Sequence, residues 1–444
     1  MPKPNATPHD KAAAWQLSRL ELHNVRCFDH AAIELHRRLT VFVGENGSGK
    51  STVVEAIAAL AWRSEDEDPE EGDLQQFPGR AGGGGGEIVL HRAGARAAGW
   101  LQAQGAGRDR LPEQPWLLAY GRYRGIALPP AKSEAGELVS PSSYASNSVA
   151  FGGRAASVFA PSDGPTRNMT SMLLSLHARG REGDPAAQQR LDALHQSLRK
   201  VVQGFDQTTV AADQRGLDVH FDDGSTRRFG ELSDGYKAVL ALVADALGRL
   251  ATGVISYGWS GDQLTLLIDE VDLHLHPRWQ HAVLDQLLTA FPGAQLVVTT
   301  HSAQVALAAV DIAVGEGPGC AVYRMVPPQA EKAARVERLA PATLAKLHHA
   351  AVGSALVETE LFGLDSAYSH AVAELERELD ALVAKAARSE KQRARLRELL
   401  DKLQGIRARE AMRQGQADGR DRVEGATQAV IRELLAALAK VGAQ

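Results

Sequence analysis

The sequence predicts an α/β protein built around a parallel sheet, and three apolar segments predict it. Segment 39–43 has the continuous apolar character of a strand buried on both faces, and a glycine-rich turn and a helix at 50–61 follow it. Segments 264–268 and 295–300 are similar runs, and charged or polar residues follow each of them. Because the carboxyl ends of parallel strands meet at one edge of a sheet, we expect the residues after these strands to share one site.

The remaining patterns divide the chain into four predicted regions. Apolar residues alternate at 17–22 and 29–35, which predicts two strands, and they recur at helical spacing within 169–205. A hairpin is predicted within 219–229, and a helix is predicted to begin near Ser233. The regions are an N-terminal lobe at 1–125 with a flexible loop at 63–86, a loop and helical insertion at 126–215, a C-terminal lobe at 216–345, and a helical region at 346–444.

Composition excludes several classes of protein. The 444 residues are 44% hydrophobic and 23% charged, which is enough to bury a large core. Apolar runs are far shorter than the roughly 20 residues that cross a bilayer, and the first residues lack the apolar segment of a secretion signal. Only Cys27 and Cys320 are present, so no cluster of cysteine metal ligands is expected. We therefore expect a cytoplasmic protein with no membrane partner.

A glycine-rich turn carries the strongest motif. Residues 44–51 read Gly-Glu-Asn-Gly-Ser-Gly-Lys-Ser and match the P-loop pattern between a strand and a helix. The glycines let backbone N–H groups surround phosphates, Lys50 supplies a point charge, and the Ser51 hydroxyl is a ligand for Mg²⁺. A purely structural turn is the alternative, and the flanking elements argue against it. The predicted nucleotide-binding residues here are Asn46, Gly47, Ser48, Gly49, Lys50, Ser51 and Thr52.

Two acids follow the second buried strand. Asp269 and Glu270 are predicted to emerge beside the P-loop, where Asp269 would hold Mg²⁺ through water and Glu270 would orient and deprotonate the attacking water. Solvated acids that merely end a strand are the alternative interpretation. The P-loop upstream favours the catalytic one.

A histidine follows the third buried strand. His301 is predicted to reach the same edge, where it would hydrogen-bond the γ-phosphate and sense its loss. A structural cap is the alternative, and the position after the acidic strand favours the catalytic role.

Several motifs resemble one family. Residues 231–237, Glu-Leu-Ser-Asp-Gly-Tyr-Lys, are similar to the signature of ABC ATPases, normally Leu-Ser-Gly-Gly-Gln, at a helix start. Residues 20–28, Leu-Glu-Leu-His-Asn-Val-Arg-Cys-Phe, resemble the opening strand of RecF and SMC proteins. Residues 269–277, Asp-Glu-Val-Asp-Leu-His-Leu-His-Pro, resemble the acidic motif of OLD-like and PtuA-like ATPases. The chain therefore resembles a P-loop NTPase with an ABC-type head, in the branch of RecF and SMC.

The resemblance implies ATP and Mg²⁺ as ligands and a head-to-tail dimer as the active form. In such dimers the signature of one subunit closes over the nucleotide on the P-loop of the other, so Ser233 and Gly235 would act in trans, and Arg26 is implied as a further nucleotide-binding residue. Asp234 takes the place of the first signature glycine, so its carboxylate is expected to point away from phosphate or to be paired. Residues 119–124 lie in the region of the Q-loop, and we assign no Mg²⁺ ligand there.

The C-terminal region combines an apolar stripe with many cations. Leucines such as Leu396 and Leu399 form the stripe, which is expected to pack against the core or a partner helix. The accompanying charge predicts either a solvated surface or contact with nucleic acid. The basic residues are Arg388, Lys391, Arg393, Arg395, Arg397, Lys402, Arg407 and Arg409.

Three functions remain open from sequence. The first is an ATPase that regulates a separate effector in antiphage defence, as the resemblance to PtuA implies, with a nuclease such as an HNH protein as the partner and DNA as its substrate. The second is a RecF-like ATPase of DNA repair. The third is a nucleotide-dependent scaffold with little turnover.

Overall fold

The computed structural model describes residues 16–61, 85–92, 95–102, 105–108, 116–121, 164–213, 216–257, 263–329 and 332–348, together with 361–362, 375, 378–379, 381–382, 392, 395–399 and 402. The chain divides into two compact units, one formed by residues 1–344 and one by residues 345–444. The predicted division of the first 345 residues into lobes stays a prediction. The predicted loop at 63–86 lies almost wholly outside the described residues, and Gly86 already belongs to a strand.

A six-stranded sheet forms the centre of the first unit. Its order is β14 (Arg335–Arg338), β13 (Cys320–Val326), β3 (Leu39–Gly44), β12 (Gln295–Thr300), β11 (Leu264–Ile268) and β7 (Trp116–Tyr120). All neighbours are parallel except β14, which is antiparallel to β13. Every residue of β3, β11 and β12 is buried, which explains their continuous apolar sequences. The α/β fold class and the three buried strands are thus confirmed.

A second, antiparallel sheet faces the first across a helix. Its order is β2 (Phe28–Glu34), β1 (Leu17–Val25), β4 (Gly86–Arg92), β5 (Ala95–Gln102) and β6 (Gly105–Arg108). Helix α1 (Lys50–Ala61) begins directly after the P-loop turn. Its buried side chains share one hydrophobic cluster with residues of both sheets; members include Val53, Ile57 and Leu60 of α1, Leu20 and Leu22 of β1, Leu267 of β11 and Val297 of β12. Burial on both sides holds the start of α1 in a fixed place.

Three helices form a layer beside the sheet. The helices α2 (Gly164–Arg181), α3 (Pro185–Val201) and α4 (Asp234–Tyr257) contact one another. Asp184 caps α3, because its carboxylate accepts the backbone N–H groups of Ala186 and Ala187. The helical spacing predicted within 169–205 is therefore confirmed by α2 and α3. The division of this region into an insertion stays a prediction, and its predicted loop at 126–163 lies outside the described residues.

A small antiparallel sheet connects α3 to α4. It consists of β8 (Phe205–Val210), β9 (Leu217–Phe221) and β10 (Thr226–Arg228), in the order β10-β9-β8. The predicted hairpin is confirmed, with its turn at Gly224 in the left-handed region at φ +80°.

The rest of the first unit contains the helices α5 (Pro277–Ala290) and α6 (Ala303–Glu316), and helix α7 (Pro341–His348) begins in the first unit and ends in the second. The strands β13 and β14 were not predicted from sequence. β13 is a short buried run between Gly319 and Pro327, and only its pairing with β3 distinguishes it from a buried helical segment. Among the described residues, no helix combines the length and apolar character that crossing a membrane requires.

The described residues of the second unit are helical. Leu396 and Leu399 of the predicted apolar stripe pack with Leu382, Leu375 and Leu379 of the same unit. Two of the predicted basic side chains are neutralised by neighbouring acids: Arg395 binds Glu378 and Glu398, and Lys402 binds Glu398.

Candidate functional site

The glycine-rich turn connects β3 to α1 with two residues in the left-handed region. Gly47 has φ +80° and Gly49 has φ +93°, backbone conformations that side chains strongly disfavour. A Cβ atom added to Gly49 would lie 2.5 Å from the Phe28 ring and 2.8 Å from Cys27 Sγ. The turn therefore packs closely against the start of β2 at Gly49. Among the described residues other than its chain neighbours, no atom lies within 4 Å of the position that a Cβ of Gly47 would take. Its backbone N–H groups and the start of α1 form a place suited to phosphate.

Lys50 lies folded over this turn. Its Nζ donates to the carbonyl oxygens of Gly44 and Glu45, at 2.7 Å each. Burial lowers the pKa of the Lys50 ammonium, and the nearby acids Asp269, Glu270 and Asp272 oppose that shift. The buried Ser48 hydroxyl has no hydrogen-bond partner within the described part of the chain. A buried cation and an unsatisfied hydroxyl both favour an anionic, oxygen-rich ligand here.

The two acids follow β11, as predicted. The backbone N–H of Asp269 donates to the Tyr120 carbonyl at 2.8 Å. The Thr299 hydroxyl donates to Asp269 Oδ1 at 2.5 Å and accepts the Glu270 backbone N–H at 2.8 Å. Glu270 has φ +49°, so this non-glycine residue adopts a rare conformation that the strand end enforces. One hydroxyl on the neighbouring strand thus positions both acids.

His301 follows β12 and contacts a third acid. Its Nδ1 lies 3.0 Å from Asp272 Oδ2, and the other oxygen of Asp272 accepts the Thr300 hydroxyl at 2.6 Å. Asp272 is buried, whereas His301 is exposed. Asp272 therefore holds one ring nitrogen of His301 and orients the ring.

Thr299 and Thr300 were not among the site residues predicted from the sequence. The signal that could have found them is a pair of hydroxyl residues closing an otherwise apolar strand, directly before His301.

Arg26 lies beside the first turns of α1. Its Nη1 donates to Glu55 Oε2 at 2.5 Å and lies 3.4 Å from the Thr52 hydroxyl. Glu55 is buried, so it neutralises the guanidinium in a site with little water. The structure thus brings together two predicted nucleotide-binding residues, Arg26 and Thr52, and adds Glu55, which sequence reasoning missed.

The signature-like segment lies at the start of α4. The exposed Ser233 caps this helix, since its hydroxyl accepts the Tyr236 N–H at 3.4 Å. Asp234 is paired with Lys237 Nζ at 3.2 Å. Gly235 packs so closely against the turn after Glu270 that an added Cβ would lie 2.5 Å from the His274 carbonyl oxygen. Every contact described for Ser233 and Gly235 is with residues other than the P-loop, and their action in trans stays a prediction.

The assembled residues fit Mg·ATP. Within the described residues, no three His, Cys, Asp or Glu side chains form a ready-made metal site. Mg²⁺ in phosphate-transfer sites takes only one or two protein ligands and completes its shell with phosphate oxygens and water. Ser51 and Asp269 meet that requirement, and the turn with Lys50 supplies the donors that phosphate needs.

Several known proteins match parts of this sequence. A family profile described as "AAA domain, putative AbiEii toxin, Type IV TA system" matches residues 123–308, and one described as "AAA domain" matches residues 19–86. The "Septu protein PtuA" of Bacillus mycoides (strain KBAB4) is 32% identical over 109 residues, and the "Retron Ec83 probable ATPase" of Escherichia coli is 44% identical over 79. RecF of Streptococcus suis (strain 05ZYH33) is 41% identical over 61 residues. These similarities support an ABC-type ATPase that is related to PtuA and RecF.

The matches to individual relatives cover short segments. They span 24%, 17% and 14% of this chain, and 15%, 14% and 17% of the PtuA, retron and RecF proteins in turn. Among solved structures, the SMC head domain from Thermotoga maritima aligns with a TM-score of 0.39 and 17% identity, over 73% of this chain and 99% of that one. The activities and partners of the whole relatives therefore do not transfer directly to this chain.

Proposed function

We propose that this ABC-type ATPase binds and hydrolyses Mg·ATP in a head-to-tail dimer and thereby controls a separate effector chain, a nuclease acting on DNA, in antiphage defence. One observation supports the catalytic part above all others. The P-loop turn, the Asp269–Glu270 pair and His301 follow β3, β11 and β12, and β12 lies between the other two in one parallel sheet. Three chemically complementary groups therefore share one edge.

The P-loop residues hold the phosphates in this proposal. Backbone N–H groups of residues 46–52 and the Lys50 ammonium neutralise phosphate charge, and Lys50 exchanges its two carbonyl partners for phosphate oxygens. Ser51 and Asp269 are the proposed ligands of Mg²⁺, which when bound supplies further positive charge to the phosphates. Arg26 and Thr52, already in contact, flank the same helix start.

Glu270 is the proposed general base. Its backbone is held by Thr299 while its side chain is half-buried, so the carboxylate can accept a proton from a water at the sheet edge. His301 is the proposed sensor of the γ-phosphate, because Asp272 engages Nδ1 and leaves Nε2 on the far side of the ring.

Ser233 and Gly235 complete the site of the second subunit in this proposal. Ser233 is exposed at the start of a long helix, where backbone N–H groups and the helix dipole attract phosphate. Lys237 pairs with Asp234, which reduces the repulsion that an acid in the signature would exert on a nucleotide.

The defence role is supported by the names of the relatives, Septu PtuA and retron ATPases. RecF relatives support the alternative of a DNA-repair ATPase. Neighbouring genes discriminate between the two: an HNH nuclease or a reverse transcriptase favours defence, and replication genes favour repair.

Paired variants test the catalytic part. Glu270→Gln keeps the shape but removes the charge, so Mg·ATP should bind normally while phosphate release falls by about 10²- to 10⁴-fold. Asp269→Asn should lower both the affinity for Mg·ATP and the rate of phosphate release, because it changes a proposed ligand of the metal. Normal turnover by Glu270→Gln would overturn the assignment. Negligible turnover by the wild-type protein, despite tight binding, would favour the scaffold alternative.

A further inference from the structure

A buried polar group connects the signature helix to the sheet edge that carries the acids. The Tyr120 hydroxyl, at the end of β7, donates to Asp245 Oδ2 of α4 at 2.7 Å. Arg249 Nε lies 2.9 Å and 3.1 Å from the two oxygens of the same carboxylate. Asp245 is 4% exposed, and burial beside its carboxylate raises the pKa of the Tyr120 phenol well above its usual range. The phenol therefore stays protonated and keeps donating.

Tyr120 contacts both α4 and the residue that follows β11. Its side chain binds α4, and its backbone carbonyl accepts the N–H of Asp269 at 2.8 Å. A single residue thus lies between the proposed Mg²⁺ ligand and the helix that begins with the signature.

The same helix has a second contact with the acidic turn. Gly235 packs on the His274 carbonyl, and His274 itself has φ +64°, so the turn after Glu270 is shaped to fit the start of α4. Asp245 lies ten residues further on, about 15 Å along the helix axis. Two contacts this far apart hold α4 against both translation and tilting.

A buried carboxylate is a costly way to gain stability, because apolar side chains of similar volume stabilise a core at least as well. The Asp245 carboxylate instead fixes the orientation of α4 relative to β7. The hydrogen bond from Tyr120 has a narrow range of distance and angle, so it forms in only one arrangement of the helix and the strand.

We propose that Tyr120 and Asp245 are positioning residues that fix the signature helix relative to Asp269. This inference rests on the proposed function, in which the signature serves the nucleotide of the partner subunit and Asp269 serves the chain's own. The signature and Asp269 of one chain then move as one rigid body. Closure of the dimer around the partner's nucleotide is therefore transmitted to the site that holds the chain's own nucleotide. Turnover should therefore depend cooperatively on ATP.

The test compares Tyr120→Phe and Asp245→Asn in the full chain with Tyr323→Phe. Tyr323 is the matched control, because it also lies in the central sheet and its hydroxyl donates to the Glu34 carbonyl at 2.9 Å, on the opposite side of β3 from β11. For Tyr120→Phe, Mg·ATP affinity should stay within about twofold of wild type while kcat falls about tenfold and the Hill coefficient drops toward about 1. The double variant should be no slower than the slower single variant.

Turnover by Tyr120→Phe that equals that of Tyr323→Phe overturns the proposal, as does an affinity that falls by the same factor as kcat. Asp245→Asn removes the carboxylate that Arg249 contacts, so thermal melting is used to check that this variant folds. If it does not fold, the result for Tyr120→Phe, which changes no charge, tests the proposal by itself. Glu270→Gln is measured in parallel. If only Glu270→Gln loses turnover, the positioning role fails while the proposed function stands. If Glu270→Gln is normal, the proposed function fails and the positioning role fails with it.

Discussion

The Thr299 hydroxyl donates to Asp269 Oδ1 at 2.5 Å across neighbouring strands. The Thr299 hydroxyl oxygen also accepts the backbone N–H of Glu270, so this hydroxyl is satisfied both as a donor and as an acceptor. Because Asp269 and Thr299 are both buried, the loss of this hydroxyl would leave a buried carboxylate and a backbone N–H with fewer partners.

Thr299→Val should therefore lower turnover about tenfold or more and raise the Mg²⁺ concentration needed for half-maximal phosphate release. The matched control is Thr265→Val on β11, whose buried hydroxyl donates to Gln295 at 3.4 Å at the amino end of the strands, far from the site edge. An unchanged Mg²⁺ requirement in Thr299→Val would show that the hydroxyl does not position Asp269.

Asp272 and His301 should act as one unit. Asp272→Asn removes the charge that orients the ring, and His301→Gln removes the ring itself. Each should lower kcat with little change in ATP affinity, and the double variant should be about as slow as the slower single variant. Steady-state kinetics on all three variants tests this. Additive losses would mean that the two residues act independently, and a mere fall in affinity would place His301 in ground-state binding.

Asp234 should limit dimer affinity. Asp234→Gly restores the signature glycine and removes an acid from the proposed interface, so the ATP-bound dimer should tighten several-fold at low salt and less at high salt. Analytical ultracentrifugation of the Glu270→Gln background with Mg·ATP measures this. Asp285→Asn, an exposed acid on α5, is the control and should leave the dimer unchanged. A weaker dimer in Asp234→Gly would show that the Asp234–Lys237 pair supports the interface.

His195 should make the folded protein sensitive to acid. It is buried on α3, where Nε2 accepts the Thr208 N–H at 3.2 Å, and burial lowers its pKa to about 4. In the unfolded chain the histidine pKa is about 6.5, so this residue binds a proton below that pH. In the folded protein it binds the proton only as the pH approaches about 4. Stability should fall as the pH drops from about 6.5 to about 4, by about 2 kcal/mol between pH 7 and pH 4.5 from this residue.

Denaturant unfolding of His195→Gln at both pH values checks this prediction. The variant should lose less stability on acidification than wild type, whatever its stability at neutral pH. His281→Gln, with an exposed ring, should keep the full dependence. The His177 pKa is also lowered by burial, so some pH dependence should persist in His195→Gln. Equal pH dependence in both variants would contradict the role of His195.

The sequence by itself determined the elements that depend on local pattern. Continuous apolar runs predicted β3, β11 and β12, because strands buried on both faces must be apolar throughout. Glycines at 47 and 49 predicted the phosphate turn, since few other residues adopt its backbone. Order along the chain then placed Asp269, Glu270 and His301 at strand ends.

Only the tertiary structure decided which side chains meet across strands. Thr299 reaches Asp269, Asp272 reaches His301, and Tyr120 reaches Asp245, and each of these contacts depends on strand order or on the docking of a helix. Sequence spacing carries no information about such neighbours, because hydrogen bonds between distant segments arise from packing and register. The strand β13 was not predicted for the same reason. Its pairing with β3 makes it a strand, whereas its short apolar sequence alone fits a strand and a buried helical segment equally well.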